Sequence, residues 1–153
     1  LEKPSHLVEE KATMSQEITV VLMACRQALP EPSRLAGPLE QAGLKTRVIL
    51  EPCSSKVEVF QMLRTLATEA DLLWVVGCPE AACQLVEGSL RMAKRVAHAQ
   101  EYLAEIGLEP ERLGKTQLAA GNQEAAAAMV HEILERARSL GVNPAKADPL
   151  KKE

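Results

Sequence analysis

A repeated change of hydrophobic period, from short β-branched runs to longer stretches with helical spacing, limits the folds open to this chain more than anything else in it. "ITVVLMAC" (18–25) is too short for a core helix and rich in valine, which reads as a buried strand. "TRVILEPC" (46–53) is a second strand, ended by Pro52, because proline cannot sit inside a paired ladder. "DLLWVVGC" (71–78) is the cleanest of the set, and "KTQLAAGN" (115–122) is a weaker fourth.

Helical patterns separate these runs. Residues 32–43 are short, with Gly37-Pro38 expected to bend the helix or delay its start. Over 55–70, Val57, Phe60, Leu63, Leu66, Ala67 and Ala70 make one apolar face. Residues 84–106 read as one long or two abutting helices, with Leu90, Ala93, Ala97, Leu103 and Ile106 inward and Gly107 as the stop. The last helix is capped by Asn122, faced by Met129, Val130, Ile133, Leu134 and Ala137, and ended by Gly141.

Strands alternating with helices imply a parallel sheet covered on both faces. The expected fold is therefore α/β: a small flavodoxin-like or Rossmann-like sheet of about four strands. The 153 residues suit one domain with its own core, expected over 18–141. Residues 1–17 read as a polar N-terminal extension rather than a secretory signal, and 142–153 as a polar, proline-containing tail, loose or laid on a partner.

Composition excludes several function classes. The net charge is only −3, and the aromatics are Phe60, Trp74 and Tyr102 alone. A nucleic-acid surface built on stacking rings and a basic stripe is not expected. No apolar run approaches the roughly 20 residues of a membrane helix. The chain reads as cytoplasmic, a compartment in which structural disulfides are uncommon. No P-loop, Gly-x-Gly-x-x-Gly or nucleophile–base constellation is apparent, so an independent active site is not expected. His98 and His131 read as surface residues, His6 lies in the extension, and Trp74 reads as core.

The four cysteines stand out against this background. Cys25, Cys53 and Cys78 each close a predicted strand, and Cys83 follows shortly after Pro79. Parallel strands all emerge on one edge, where open α/β sheets bind their ligands. Three strand ends and one adjacent turn thus bring four sulfurs toward one volume. Soft thiolates suit zinc or an iron–sulfur cluster, and four complete either shell. The competing reading is that each is a small hydrophobe filling a strand end. A thiol–disulfide pair at Cys78 and Cys83 is a further reading, although redox pairs are usually C-x-x-C. A flavodoxin-like module binding FMN at the same edge is another, but no phosphate-binding turn supports it.

The segment "WVVGCPEAACQLVEGSLRMAKRVAHAQEYLAEIGLEPERL" (74–113) resembles the delta-subunit family of methyl-viologen-reducing hydrogenases. Its matching features are Gly77, Cys78, Cys83, Gly88, the basic Arg91, Lys94 and Arg95, and "GLEPERL", which fits a Gly-(Ile/Leu)-x-Pro-x-Arg turn. Upstream, "EPCSSKVEV" resembles the family's Cys-Ser-Gly-Arg-Val stretch, with Cys53 and Lys56 in the cysteine and arginine places. The similarity runs from about Ile18 to Gly141. One departure is clear: where family members carry Cys-Cys-x-x-Cys after the first strand, this sequence has Ala24, Cys25 and Ala28.

The resemblance implies a [2Fe-2S] cluster held by Cys25, Cys53, Cys78 and Cys83. It also implies a place between an electron-donating or electron-accepting redox subunit of hydrogenase or dehydrogenase type and a heterodisulfide-reductase-like flavoprotein, in an anaerobic complex. A metal-free or zinc-stabilised adaptor of the same complex is the alternative. Gly77, Ala81, Ala82, Ser54 and Ser55 would let backbone N–H groups and hydroxyls approach sulfur, or are simply turn residues. Arg91, Lys94 and Arg95 would screen a negative cluster or dock an acidic partner, or form a solvated helix face.

Overall fold

The computed structural model describes residues 17–79 and 88–146. Four strands form one parallel sheet: β1 (Thr19–Cys25), β2 (Lys45–Glu51), β3 (Leu72–Gly77) and β4 (Leu113–Gln117). Their order is β2-β1-β3-β4. The expected α/β fold is the one observed. The chain leaves β1 in one direction to form β2 and then crosses back to form β3. The switch point therefore falls between β1 and β3, whose carboxyl ends carry Cys25 and precede Cys78.

Register follows hydrophobicity. β1 and β3 are central and covered on both faces, so they read as continuous apolar runs, buried throughout from Val20 to Cys25 and Leu72 to Gly77. The edge strands carry exposed Lys45, Arg47 and Lys115, charges that discourage pairing with another chain. β4 begins earlier and is shorter than its predicted run. Its last ladder bond runs from the Leu118 N–H to the Gly77 carbonyl, 2.7 Å, and Gly121 then turns the chain at φ +85°.

Among the described residues, four α-helices cover the faces: α1 (Ser33–Gln41), α2 (Val59–Thr68), α3 (Gly88–Glu105) and α4 (Gln123–Leu140). α1 and α4 bury Leu35, Leu39, Met129 and Ile133 against Leu22, Trp74 and Val76. On the other face, α2 and α3 bury Met62, Leu66, Met92 and Val96 against Met23, Leu73 and Val75. No helix among the described residues is long and apolar enough to cross a membrane.

Pro38 neither delays nor ends α1, which runs through it with Leu35 and Leu39 inward. α4 keeps the expected face, Asn122 accepts from the Ala125 N–H at 3.0 Å, and Gly141 ends the helix at φ +65°. The predicted faces of α2 and α3 hold in part: Val57, Leu66, Ala70 and Leu103 are buried and Leu63 packs against the same cluster. Phe60 and Ala67 are exposed instead, and Met62 and Thr65 join Leu66 on the inward side. In α3, Leu90, Ala97 and Ile106 are exposed while Ser89, Met92, Val96, Ala99 and Leu103 are buried. Alanine-rich turns carry little phase information, so the fit of Ser89 and Met92 over Gly77 decides the rotation.

Trp74 is fully buried, as expected, and its indole N–H donates to Thr116 Oγ1 at 2.9 Å. The guanidinium of Arg136 lies 4.7 Å from its ring centroid, a cation–π contact. Gly114 faces the same ring. A Cβ there would sit 2.3 Å from Trp74 Cζ3, which is why this strand position carries glycine.

The amino edge of the sheet is closed by a buried polar network. The Asp71 carboxylate accepts from the Thr19 N–H (2.7 Å), the Asn143 N–H (2.8 Å) and Lys146 Nζ (2.9 Å). Asn143 Nδ2 donates to the Leu66 and Ala70 carbonyls at 2.8 and 3.2 Å. Arg112 is 1% exposed and donates to the carbonyls of Asp71, Leu140, Gly141 and Val142 and to the Glu109 carboxylate. It caps the last carbonyls of α4, which have no partner within the helix. Through this network residues 142–146 are tied back onto the sheet rather than lying loose.

Candidate functional site at the carboxyl edge

Cys25 ends β1, Cys53 follows β2 by two residues and Cys78 follows β3 by one. Pairing sets Cys25 opposite Glu51 and Ala24 opposite Val76, so all three cysteines lie at the same edge of three adjacent strands. Their exposures are 2%, 2% and 6%. Cys83 lies outside the described residues.

The three thiols do not share one environment. Cys25 and Cys78 belong to the apolar cluster beneath α1 and α4, with Ala28, Leu29 and Leu118. The Cys25 thiol lies 3.9 Å from the Pro52 carbonyl, a weak donor contact that ties the end of β1 to the residue before Cys53. Cys53 belongs to neither apolar cluster. Its sulfur instead accepts from the Ser55 N–H at 3.5 Å and the Ser55 hydroxyl at 3.2 Å, capping the 3₁₀ turn. Among the described residues no three His, Cys, Asp or Glu side chains form a group able to hold a metal ion.

The backbone around the sulfurs is held by side chains from α3. Arg95 donates to the Ser55 carbonyl and, at 3.3 Å, to the Val57 carbonyl. Arg95 is therefore not simply one of a solvated basic row, whereas Arg91 and Lys94 are exposed. Ser89 donates to the Cys78 carbonyl and accepts from Gln117 Nε2 at 3.1 Å. Gly77 completes the packing: a Cβ there would lie 2.7 Å from Met92 Cε, 3.0 Å from Ser54 Oγ and 3.1 Å from Ser89 Oγ. Ser54 is 1% exposed, and its hydroxyl finds no hydrogen-bond partner among the described residues. Buried hydroxyls are rarely left without a partner.

The family description "Methyl-viologen-reducing hydrogenase, delta subunit" matches residues 12–141. The chain belongs to that family. It is 32% identical over 129 residues to the vhu iron-sulfur subunit of the F420-non-reducing hydrogenase of Methanopyrus kandleri, covering 84% of this chain and 98% of that protein. The protein of the same name from Methanocaldococcus jannaschii is 29% identical over 129 residues, covering 84% of this chain and 96% of its own length. In a third relative the match is a piece of something larger. That relative is one of the subunits of the ferredoxin/F(420)H(2)-dependent CoB-CoM heterodisulfide reductase of Methanosarcina acetivorans. It is 30% identical over 95 residues, which are 62% of this chain and 12% of that protein.

The turn after β1 is apolar on its buried side. Ala24 and Ala28 are buried in the same apolar cluster as Cys25. The Ala28 and Leu29 N–H groups both bond the Cys25 carbonyl at 3.0 Å, so this turn is tight. Ala28 also lines a cavity of about 630 Å³ between the β1–α1 loop and the start of α4, with Pro30, Leu118, Ala126 and Val130.

Reading the sequence missed Ser89, Gln117 and the grip of Arg95 on the Cys53 turn. None carries a local signal, because each acts on a residue 11 to 40 positions away. Arg112 was visible as the arginine of "GLEPERL", but as part of a resemblance rather than as the anchor of the opposite edge.

Proposed function

We propose that this chain relays single electrons, as the electron-transfer part of a larger complex, through a [2Fe-2S] cluster held by Cys25, Cys53, Cys78 and Cys83. Its neighbours would be a hydrogenase- or dehydrogenase-like module and a heterodisulfide-reductase-like flavoprotein, in a cytoplasmic, anaerobic complex. Residues 18–141 would form the working domain, with 1–17 and 142–153 as flanking segments. The observation that carries the reading is the row of buried thiols at the ends of three adjacent parallel strands, in a family of hydrogenase delta subunits. The names of the relatives support it from both sides, as hydrogenase iron–sulfur subunits and as a segment of a heterodisulfide reductase.

The residues fit such a group in donor chemistry. Thiolates are the usual ligands of iron–sulfur clusters, and the sequence supplies four. The Ser54 hydroxyl, without a hydrogen-bond partner among the described residues, leaves polar provision near the thiols. When bound, the cluster supplies a one-electron carrier whose geometry changes little between oxidation states. The protein's part is to hold the sulfurs, exclude water and fix the dipoles around them. β1 and β3 fix Cys25 and Cys78 at the switch point. Arg95 fixes the turn that bears Cys53, and the apolar layer of Leu29 and Leu118 keeps solvent from the edge.

Iron and sulfide analysis of protein purified and reconstituted anaerobically tests the reading. Roughly two irons and two sulfides per chain, with visible absorption lost on single Cys→Ser replacement at 25, 53, 78 or 83, are expected. Colourless protein, or protein carrying only zinc, would overturn the relay.

A metal-free or zinc-stabilised adaptor is the second reading. It is favoured by the division of the described thiols between two environments and the lack of a three-ligand group among them. The same iron, sulfide and zinc analysis decides between the two.

A further inference from the structure

We propose that Ser55 and Arg95 are positioning residues for the sulfur of Cys53, and that the Ser55 hydroxyl raises the reduction potential of the group that sulfur binds. The inference rests on the iron–sulfur reading above. Ser55 brings two donors to one sulfur, its N–H at 3.5 Å and its hydroxyl at 3.2 Å. The carbonyls of Ser55 and Val57 are both gripped by Arg95, from 40 and 38 residues away. Cys53 is 2% exposed, so water does not compete strongly for these bonds.

The physical consequence follows from charge. Adding an electron to a thiolate-bound cluster makes its sulfurs more negative, and a hydrogen bond to sulfur is stronger in the reduced state. Each such donor therefore favours reduction. A donor on a mobile turn would lose part of that effect to disorder. A single guanidinium nitrogen, Arg95 Nη1, bonded to the carbonyls on either side of Lys56, holds the turn in the donating conformation. It also brings a permanent positive charge beside the site, which acts in the same direction. Neither residue touches the reacting centre except through Cys53, so both tune rather than carry the electron.

The test uses the full chain, reconstituted anaerobically, with a dithionite titration in the presence of redox mediators. Ser55→Ala keeps the N–H donor and removes only the hydroxyl. At the wild-type midpoint, its ratio of oxidised to reduced protein should rise about tenfold, equivalent to about 59 mV for one electron. Resonance Raman bands of the iron–sulfur stretch should lose part of their shift in D₂O, and Ser55→Thr should restore both. Ser55→Gly gives the same reading should the alanine variant not fold.

In metal-free protein, Arg95→Gln should speed amide hydrogen exchange at 55–57 while leaving the central strands protected. A loaded Ser55→Ala protein with wild-type potential and wild-type deuterium shifts overturns this inference and leaves the relay reading intact. Unchanged exchange at 55–57 in Arg95→Gln removes Arg95 from it. Wild-type protein that takes up no iron overturns the relay reading, and this inference with it.

Discussion

The two edges of the sheet are built on opposite terms. At the amino edge, Asp71, Arg112, Asn143 and Lys146 are buried or half-buried polar groups with partners, many of them bonded twice or more. At the carboxyl edge lie three buried thiols, a Ser54 hydroxyl with no partner among the described residues and a glycine that admits no side chain. One edge uses polarity to fix the fold. The other sets buried, polarisable sulfurs beside a hydroxyl that lacks a partner among the described residues. Burial of polar atoms is thus not one phenomenon, because its sign depends on whether partners are already present.

This contrast is most exposed to test at Arg112. Replacing it with methionine keeps much of the stem but abandons the Leu140, Gly141, Val142 and Asp71 carbonyls. A loss of about 3–5 kcal/mol of unfolding free energy is expected from urea titration, with iron binding unchanged under folding conditions. A loss below about 1 kcal/mol would show that the amino edge does not hold the fold.

Asn143→Ala comes next. It removes two donors to the end of α2 and should cost about 1–3 kcal/mol. Hydrogen exchange should rise at 142–146 in the same variant.

At the opposite edge the sign should reverse. Ser54→Ala deletes a buried hydroxyl with no partner among the described residues, so metal-free protein should be unchanged or more stable by up to about 1 kcal/mol. Clear destabilisation there would mean that the hydroxyl is satisfied, and the contrast between the edges would fail.

The smallest effect is a pH dependence at Glu109. Its hydrogen bond from Arg112 holds its carboxyl below the ordinary value of 4.5. A depressed folded-state value means stability that is present above the unfolded pKa and lost as pH falls through the folded one. Glu109→Gln should therefore narrow its stability gap from wild type as pH drops below about 4.5. The carboxylate is 43% exposed, so solvent screening keeps the gap small. A gap that widens in acid would contradict the assignment.

Much of the fold was legible because it rests on local pattern. The runs at 18–25 and 71–78 name the two central strands, since only a strand covered on both faces tolerates an unbroken apolar sequence. Asn122 and Gly141 mark α4 at both ends. The faces of α2 and α3 were legible only in part: Leu66 and Leu103 turn inward as expected, but Phe60, Leu90, Ala97 and Ile106 do not, since mixed apolar turns fit several rotations about equally well. The Cys53 turn was visible as "CSSK", but its hold by Arg95 was not.

The cysteines divide the same way. That Cys25, Cys53 and Cys78 reach one edge follows from parallel strands ending together. That two of them enter the apolar layer while Cys53 turns onto Ser55 depends on contacts between distant elements.

The alternating elements, the parallel sheet and the edge at which the thiols emerge were already written in the chain, because periodicity and strand direction are properties of neighbouring residues. Folding in three dimensions was needed to choose which helix faces turn inward, how Arg112 and Asn143 lock the amino edge and how Arg95 poises Cys53. Those outcomes depend on pairs of groups tens of residues apart, whose meeting no local pattern records.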